Sequence, residues 1–425
     1  MTMTHNIAVI VDAYSTGAKL AAKFHAEGVA VLHVQSASPI IDFYINDFRP
    51  DDFIANVVFN GLAESLVEIN RWLNGIKPIC VLAGAETGIE LADLLAGELG
   101  VEGNSTETSR VRRDKYAMAC ALKEAGLATP YFLRTDNLHT LTEWASGHGW
   151  PIVLKPLASA GNDSVFFCND RAELESAFHS IYNKANRFGG HNNHVLAQTL
   201  LKGTQYVINS VSIDAQHYIS DMWIDRRKVI AGASNIYDCE ELLPYEGEVQ
   251  AALVSYMKKA LDALGVHNGP AHSEIMMTAE GPVLIETGAR LQGAMLEEAV
   301  IEALGESQIT LTIERYCHPH LFKRRLGQQY VLSKHVLCVA MISDQEGVVV
   351  DTTGFERIRS LSSYACHFHL PEKGDTITRT IDLFSIPGVV YLSHEELAVL
   401  QADYATIRRL ESAHQVFSLN ENVPV

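Results

Sequence analysis

A chain of 425 residues is long enough for two to four structural units with a large hydrophobic core. Its 33 basic and 51 acidic residues give a formal net charge of −18, which makes nucleic acid and anionic membranes poor candidates for the main partner. The chain has no apolar run of about 18 residues, no signal-peptide pattern and no Cys-x-x-Cys pair among its 7 cysteines, so we expect a cytoplasmic protein with reduced thiols.

The first hundred residues alternate apolar runs of strand length with helix-compatible segments. The strand-like runs cover 7–13, 28–35 and 79–84. Strands and helices in this alternation predict a parallel sheet with crossover helices, although no Gly-x-Gly-x-x-Gly follows the first strand to support a dinucleotide site. The polar segment 101–109 predicts the end of this unit, and a helix is predicted over 110–125.

A candidate phosphate-binding loop lies within 151–165. A short predicted strand ends at Lys155, and small or polar residues follow, among them Ser159, Gly161 and Ser164. Small side chains let backbone N–H groups approach phosphate oxygens, and a neighbouring lysine supplies positive charge. Many ordinary turns are also rich in glycine and serine, so both interpretations stay open here.

The segment 195–212 has the pattern of strand, bend and strand. Gln198 and Gln205 lie on either side of Leu200 and Leu201. Backbone groups at such a bend can pair with the edge of an adenine while leucines pack on its faces. An ordinary hairpin with core leucines is the alternative.

Two β-like runs, 273–277 and 282–286, are joined by a turn-forming segment and predict an antiparallel hairpin. Glu274 and Glu286 then become near neighbours across the strands. Two adjacent carboxylates hold a hard cation, share a proton or meet an arginine, and Arg290 follows four residues later. The alternative is a surface hairpin with a solvated ion pair.

The remainder of the chain is β-rich. Strands are predicted over 336–342, 347–350, 364–370 and 388–393, and a final helix over 394–414.

The order of these features along the chain resembles the ATP-grasp superfamily over roughly 110–317. The features are Lys115 in the predicted helix, Lys155 with its loop, the bend, the paired glutamates and Arg290. Within this superfamily, 261–276 and 281–293 resemble the L-amino acid ligases (dipeptide synthases similar to the bacilysin synthetase) and carnosine synthase. The resemblance implies an α/β protein with an ATP-grasp fold, an N-terminal Rossmann-like (pre-ATP-grasp) α/β domain and a C-terminal β-rich α+β domain. The expected boundaries are 1–109, 110–330 with a lid subdomain at about 130–195, and 331–425.

The resemblance also implies contacts with ATP. The residues expected to bind it are Lys115, Lys155, Ser159, Gly161, Ser164, Gln198, Leu200, Leu201 and Gln205. The lysines would contact the α- and β-phosphates, and the two leucines would present backbone to adenine. Gln198 and Gln205 stand where the family usually has acidic residues, and a glutamine binds a ribose hydroxyl more weakly than a carboxylate does.

For the metal, the resemblance implies Mg²⁺, or Mn²⁺ in its place, held by Glu274 and Glu286. A frequent third ligand of the family, an asparagine, is Gly288 here. Glu286 and Arg290 are the expected catalytic residues, with Arg290 binding the transferring phosphoryl group.

The expected substrate-binding residues are His272, Arg290, Gly293 and Ala294. Gly293 and Ala294 have little volume, which favours a roomy pocket for the activated amino acid, and an inward-pointing Met295 would add an adaptable apolar surface. Alternatively, Ala294 packs beneath the loop and contacts no substrate.

The implied function is an ATP-dependent ligase that joins two amino acids through an acyl phosphate and releases ADP and phosphate, in a homodimer. Two alternatives remain on the same fold: a carboxylase of the biotin-dependent kind, and a protein that binds ATP without turnover.

Overall fold

The fold is described from a computed structural model. It describes residues 6–37, 40, 44, 48–158, 164–186, 190–230 and 233–420. Ser159 and Gly161, both expected to contact phosphate, lie outside the described residues.

The first part of the chain forms a four-stranded parallel sheet. Its elements are β1 (Ile7–Val11), α1 (Lys19–Ala26), β2 (Ala30–Gln35), β3 (Asn56–Val58), α2 (Leu62–Leu73), β4 (Cys80–Ala83) and α3 (Ile89–Glu98). The strand order is β3-β2-β1-β4. β1 is buried throughout, as expected for a strand with helices on both faces of its sheet. The predicted parallel sheet is confirmed, whereas the short edge strand β3 was not predicted.

The helix predicted over 110–125 begins later than the pattern indicated. Residues Thr106–Arg112 form a 3-10 helix, and α4 spans Lys115–Glu124. The Asp114 side chain accepts hydrogen bonds from the backbone N–H groups of Tyr116 and Ala117 and therefore caps the helix. This cap places Lys115 at the first position of α4.

A separate antiparallel sheet follows. It contains β5 (Phe132–Thr135), α5 (Leu138–His148), β6 (Ile152–Lys155), β7 (Phe166–Cys168), α6 (Arg171–Ile181) and β8 (Val195–Thr199). The strand order is β5-β8-β6-β7, and α5 and α6 share a hydrophobic core with the sheet. β6 ends at Lys155, as predicted.

The largest sheet has eight strands among the described residues and runs from the middle of the chain to its C-terminal region. The elements from the middle of the chain are β9 (Thr204–Ile213), β10 (Gln216–Ile230), β11 (Ala233–Leu242), α7 (Glu248–Ala263), β12 (Gly269–Thr278), β13 (Gly281–Gly288), α8 (Glu297–Leu304), α9 (Gln308–Cys317) and α10 (Pro319–Arg325). Those that follow are β14 (His335–Ala340), β15 (Gly347–Asp351), α11 (Glu356–Arg359), β16 (Tyr364–Phe368), β17 (Thr376–Ile377), β18 (Val389–His394), α12 (Leu397–Ser412) and β19 (Ser418–Asn420).

The order of the large sheet is β13-β12-β9-β10-β11-β14-β18-β16, and β17-β15-β19 form a small sheet beside it. β11 and β14 pair across the boundary expected at 330–331, so the C-terminal strands extend the sheet that carries the glutamate hairpin. The domain boundaries themselves stay predictions. In the described part of the chain, no helix is long and apolar enough to cross a membrane.

Candidate active site

Two adjoining cavities mark the candidate site. One has a volume of 260 Å³ and lies between the large sheet and the β5–β8 sheet, and the other, of 200 Å³, lies between the large sheet and the carboxyl end of β4. Tyr237, Glu274 and Glu286 line both cavities. These three side chains therefore form the wall between the two spaces.

The paired glutamates stand on the hairpin that the sequence predicted. β12 and β13 are antiparallel, and Glu274 is the register partner of Glu286, with a bulge directly after Glu274. Opposed residues of an antiparallel pair lie on the same face of the sheet. The expectation that these two carboxylates are cross-strand neighbours is confirmed.

The 260 Å³ cavity brings together most of the residues expected to bind ATP. Those that line it are Lys115, Lys155, Gln198, Leu200, Leu201 and Gln205. Ser164 is not among the described lining residues, and Val165 and Phe167 line the cavity there instead. The lining thus combines two lysines with apolar side chains, which suits a nucleotide.

The bend at 200–203 is not a hairpin turn. β8 pairs with β5 and β6, whereas β9 pairs with β10 and β12 in the large sheet. Leu200 and Leu201 therefore sit where the chain crosses from one sheet to the other. The alternative of an ordinary hairpin is wrong, because the two strands never meet.

The two lysines face the glutamate pair. Lys115 Nζ lies 2.6 Å from Glu286 Oε2. Lys155 is buried, and burial together with the charge of Lys115 lowers its pKa to about 8. Both ammonium groups thus lie beside the wall that divides the cavities.

Gln205 lies among carboxylates. Its Nε2 donates to Asp225 Oδ2 at 3.0 Å and to Glu274 Oε2 at 2.9 Å. An amide can bridge these two groups, whereas a third carboxylate would repel them. The local charge thus explains why the acidic residue usual in the family is a glutamine here.

Glu274 is held in its ionised form. Burial alone would raise the pKa of Glu274, but the nearby imidazole of His272 and the charge of Arg227 outweigh it and hold the pKa at about 2. His272 Nε2 lies 3.9 Å from Glu274 Oε1. Carboxylate oxygens are the donors that Mg²⁺ prefers, so the paired glutamates fit a hard divalent cation.

The protein groups alone do not complete a metal shell. Within the described ranges, no cluster of three or more His, Cys, Asp or Glu side chains is placed to hold a metal ion. A cation on Glu274 and Glu286 would take its other ligands from water and phosphate oxygens, which is the usual manner of Mg²⁺ binding.

Arg290 lines the 200 Å³ cavity and forms an ion pair with Glu86, a residue that the sequence analysis did not identify. Arg290 Nε donates to Glu86 Oε2 at 2.8 Å, and Arg113 Nη1 donates to Glu86 Oε1 at 2.7 Å. Glu86 follows the carboxyl end of β4, the edge of a parallel sheet at which ligands bind. That position is the signal that could have identified it.

Glu86 also explains the glycine at 288. A Cβ built on Gly288 would lie 2.7 Å from Glu86 Oε2 and 3.4 Å from Arg290 Nε. The carboxylate that holds the two arginines therefore occupies the space that a longer side chain would need. The asparagine frequent in the family does not fit this arrangement.

The expected substrate-binding residues His272, Arg290, Gly293 and Ala294 all line the 200 Å³ cavity. Met295 does not: its side chain is 2 % exposed and is absent from the described lining, and its backbone N–H donates to Thr16 Oγ1. Met295 therefore does not meet the condition, pointing inward, under which it would add an apolar surface to the pocket. An apolar wall comes instead from the C-terminal region, in Leu383, Ile386, Val389 and Tyr391.

Comparison with known proteins agrees with this arrangement. A model of the ATP-grasp domain matches residues 112–294. The dapdiamide A synthase of Enterobacter agglomerans is 33% identical over 424 residues, 96% of either chain. The L-arginine-specific L-amino acid ligase of Bacillus subtilis is 21% identical over 240 residues, which are 55% of this chain and 58% of that protein.

The solved structure of an L-amino acid ligase from Bacillus licheniformis has a similar fold, with a TM-score of 0.77 over 99% of this chain and 100% of that chain, at 18% identity. The likeness to the synthase extends over nearly the whole length of both proteins, beyond the matched domain. The chain belongs to the ATP-grasp family and is an ATP-dependent carboxylate–amine ligase of the group that includes the L-amino acid ligases.

Proposed function

We propose that this ligase joins two amino acids into a dipeptide through an acyl phosphate, with ATP and Mg²⁺. The observation that carries the proposal is the shared wall: Glu274 and Glu286 stand between a lysine-lined cavity of nucleotide size and a second cavity that contains Arg290. A donor carboxylate in the second cavity would face the terminal phosphate of ATP across this wall.

In the first step an oxygen of the donor carboxylate attacks the γ-phosphorus, and the bond to the β,γ-bridging oxygen breaks, so that ADP leaves. Lys115 and Lys155 offset the negative charge that otherwise keeps a carboxylate away from a triphosphate. Bound Mg²⁺ supplies further neutralisation of the phosphates. Arg290, held at its Nε by Glu86, offers its remaining N–H donors to the phosphoryl oxygens.

In the second step the nitrogen of the acceptor amine attacks the acyl carbon. The tetrahedral intermediate collapses, phosphate leaves, and the nitrogen gives up a proton to leave an amide. Fixed donors near the oxyanion lower this barrier, and Arg290 is suited to that role. The Leu383–Tyr391 wall helps to exclude water, which would hydrolyse the acyl phosphate.

The names of the relatives support amide formation and leave the substrates open. A homodimer in the cytoplasm remains our prediction. A carboxylase of the biotin-dependent kind fits the fold, but a relative that matches over 96% of either chain is named dapdiamide A synthase.

The proposal is tested by ADP release over pairs of amino acids, with mass detection of the product. We expect ADP only when both partners are present, together with a product whose mass is their sum less one water. ADP release that requires bicarbonate and no amine would favour the carboxylase, and ATP binding without turnover on any pair would favour the non-catalytic alternative.

We predict that Glu286→Gln lowers kcat by about 10³-fold, because it removes one of the two metal carboxylates. The matched control is Glu280→Gln at the exposed turn of the same hairpin, which should keep full activity. Circular dichroism and melting temperature verify that both variants fold. Full activity of Glu286→Gln with Mg²⁺ would refute the metal assignment.

A further inference from the structure

Among the described residues, four carboxylates line the 200 Å³ cavity, and three of them are already engaged. Glu86 pairs with Arg113 and Arg290, Glu286 pairs with Lys115, and Glu274 accepts from Gln205. Among the described residues, the hydrogen-bond donor to the fourth, Glu240, is the neutral amide of Gln292, at 3.1 Å between Gln292 Nε2 and Glu240 Oε2. Glu274 is assigned to the metal, so among the described residues Glu240 is the lining carboxylate that has neither a metal to hold nor a lysine or arginine at contact distance.

A buried chain of amides fixes the orientation of Glu240. Asp221 is fully buried and accepts from Trp223 Nε1 at 2.6 Å and from Asn209 Nδ2 at 2.5 Å. Asn209 Nδ2 also donates to Gln292 Oε1 at 2.5 Å.

Because Trp223 Nε1 can only donate, Asp221 Oδ1 is an acceptor and sets the direction of the Asn209 amide, and Asn209 in turn sets that of Gln292. The amino end of Gln292 must then point at Glu240. A carboxylate on the protein surface would not need such support. The hydrogen-bond chain from Asp221 to Gln292 therefore indicates that the position of Glu240 in the cavity matters for its role.

A carboxylate on a cavity wall without a countercharge is costly to keep ionised. Burial and the charge of Asp225 raise the pKa of Glu240 to about 8, because together they outweigh the opposite effect of the more distant Arg227 charge. A ligand ammonium group beside it would supply the missing charge. For Glu86, by contrast, the charges of Arg290 and Arg113 outweigh the effect of burial and hold the pKa at about 2. Glu86 therefore needs no ammonium group from a ligand.

On the basis of the proposed function, we propose that Glu240 accepts a hydrogen bond from the ammonium group of the amino acid whose carboxylate is activated. Arg290 and Gln292 are two residues apart on one segment that lines the cavity. Arg290 would meet the carboxylate end of the donor amino acid, and Gln292 orients Glu240, so the two groups are neighbours in the chain. An α-amino acid carries its ammonium group one carbon from its carboxylate and matches that arrangement. The subsite therefore selects donors with a free amino group.

The first test uses the wild-type enzyme. The donor that ranks first in the ADP-release screen is compared with the acid that lacks only its amino group, for example L-leucine with 4-methylpentanoate, at a saturating concentration of the acceptor amine. We expect kcat/KM to be lower for the des-amino acid by about 10²-fold or more, because a buried carboxylate is left unpaired. Equal kcat/KM for the two acids would overturn the proposal, irrespective of the values of kcat/KM measured for the variants.

The second test is Glu240→Gln. It should lower kcat/KM for the amino acid by about 10²-fold, leave that for the des-amino acid nearly unchanged, and leave the KM for ATP unchanged. The control is Glu241→Gln, next in the strand and on the opposite face, which pairs with Arg226 and should keep the wild-type preference.

An equal loss for both acids in Glu240→Gln would mean that Glu240 serves only the structure of the pocket and would overturn the proposal. If the proposed function itself were wrong, the result would differ. The wild-type enzyme would then release no ADP with any pair of amino acids.

Discussion

Glu86, Gly288 and Gln205 show how single residues in the site depend on one another. Gly288 leaves room for the Glu86 carboxylate, and Glu86 in turn holds Arg290 and Arg113. Gln205 takes the place of an acidic residue because Asp225 and Glu274 already lie beside it. The departures from the family pattern at Gln205 and Gly288 thus have a physical cause in the charges and the space around them.

Lys155 gives a prediction at the residue scale. Its pKa is lowered to about 8, so the ammonium form is present below that pH and is lost as the pH rises through it. We predict that affinity for a non-hydrolysable ATP analogue, measured by calorimetry, declines above pH 8 by up to about tenfold per pH unit. Lys155→Arg, which stays charged, should abolish this decline.

Lys155→Ala and Lys115→Ala should each weaken binding by about 10–100-fold, because each removes a charge-assisted contact. The exposed Lys202→Ala is the control and should bind as the wild type does. Unchanged affinity in both alanine variants would show that the nucleotide binds elsewhere.

Ala294 gives the second prediction at this scale. If it lines the donor pocket, Ala294→Trp should shift the preference towards small donors, since overlap costs about 1–3 kcal/mol. Ala294 has a φ of 53°, so Ala294→Asn, a smaller residue that tolerates this backbone, controls for conformational strain. An unchanged ranking of donors by kcat/KM in the Trp variant would place Ala294 beneath the loop instead.

At the scale of elements, the crossing between the two sheets forms part of the wall of the 260 Å³ cavity. The bend at 200–203 passes close to the end of β12. A Cβ built on Gly203 would lie 1.9 Å from the backbone oxygen of Met277 and 2.8 Å from its carbonyl carbon. Only glycine permits this approach, because the obstacle is backbone and cannot rotate away.

We therefore predict that Gly203→Ala displaces the bend and weakens ATP binding by about tenfold, with a loss of stability of about 1–3 kcal/mol. Gly147→Ala is the matched control, because the new Cβ meets nothing within 4 Å on helix α5 and alanine is the better helix former. Calorimetry and thermal unfolding measure both effects. Wild-type affinity in Gly203→Ala would contradict the role given to the bend.

For the whole molecule, Glu86 connects the N-terminal sheet to the segment after β13. The charges of Arg290 and Arg113 hold its pKa at about 2, against a burial that alone would raise it and an ordinary value of 4.5. Since the folded-state pKa is depressed, the stabilisation is present above pH 4.5 and is lost as the pH falls towards 2.

We predict that Glu86→Gln lowers the melting temperature at pH 7 by several degrees, or roughly 2–3 kcal/mol, because two partly buried arginines lose their partner. The difference from wild type should shrink as the pH falls below 4.5. Glu356→Gln, which breaks an exposed pair with Arg359, should have almost no effect. A difference that does not change with pH would show that the carboxylate charge is not its source.

The sequence by itself determined the local elements and the motifs that lie within them. The apolar runs of β1, β2 and β4 predicted the parallel sheet, and the turn between Thr278 and Gly281 predicted the hairpin, in which the bulge after Glu274 adds the one-residue shift that opposes Glu274 to Glu286. These features depend on residues close together in the chain, where periodicity and turn chemistry act.

Only the tertiary structure decided which distant side chains meet. Glu86 and Arg290 are 204 residues apart, and Asn209 and Gln292 are 83 apart, yet each pair forms a direct hydrogen bond. It also decided that β8 and β9 enter different sheets and that Met295 points away from the cavity. Such contacts follow from the packing of whole sheets against each other, and no local pattern in the chain encodes that packing.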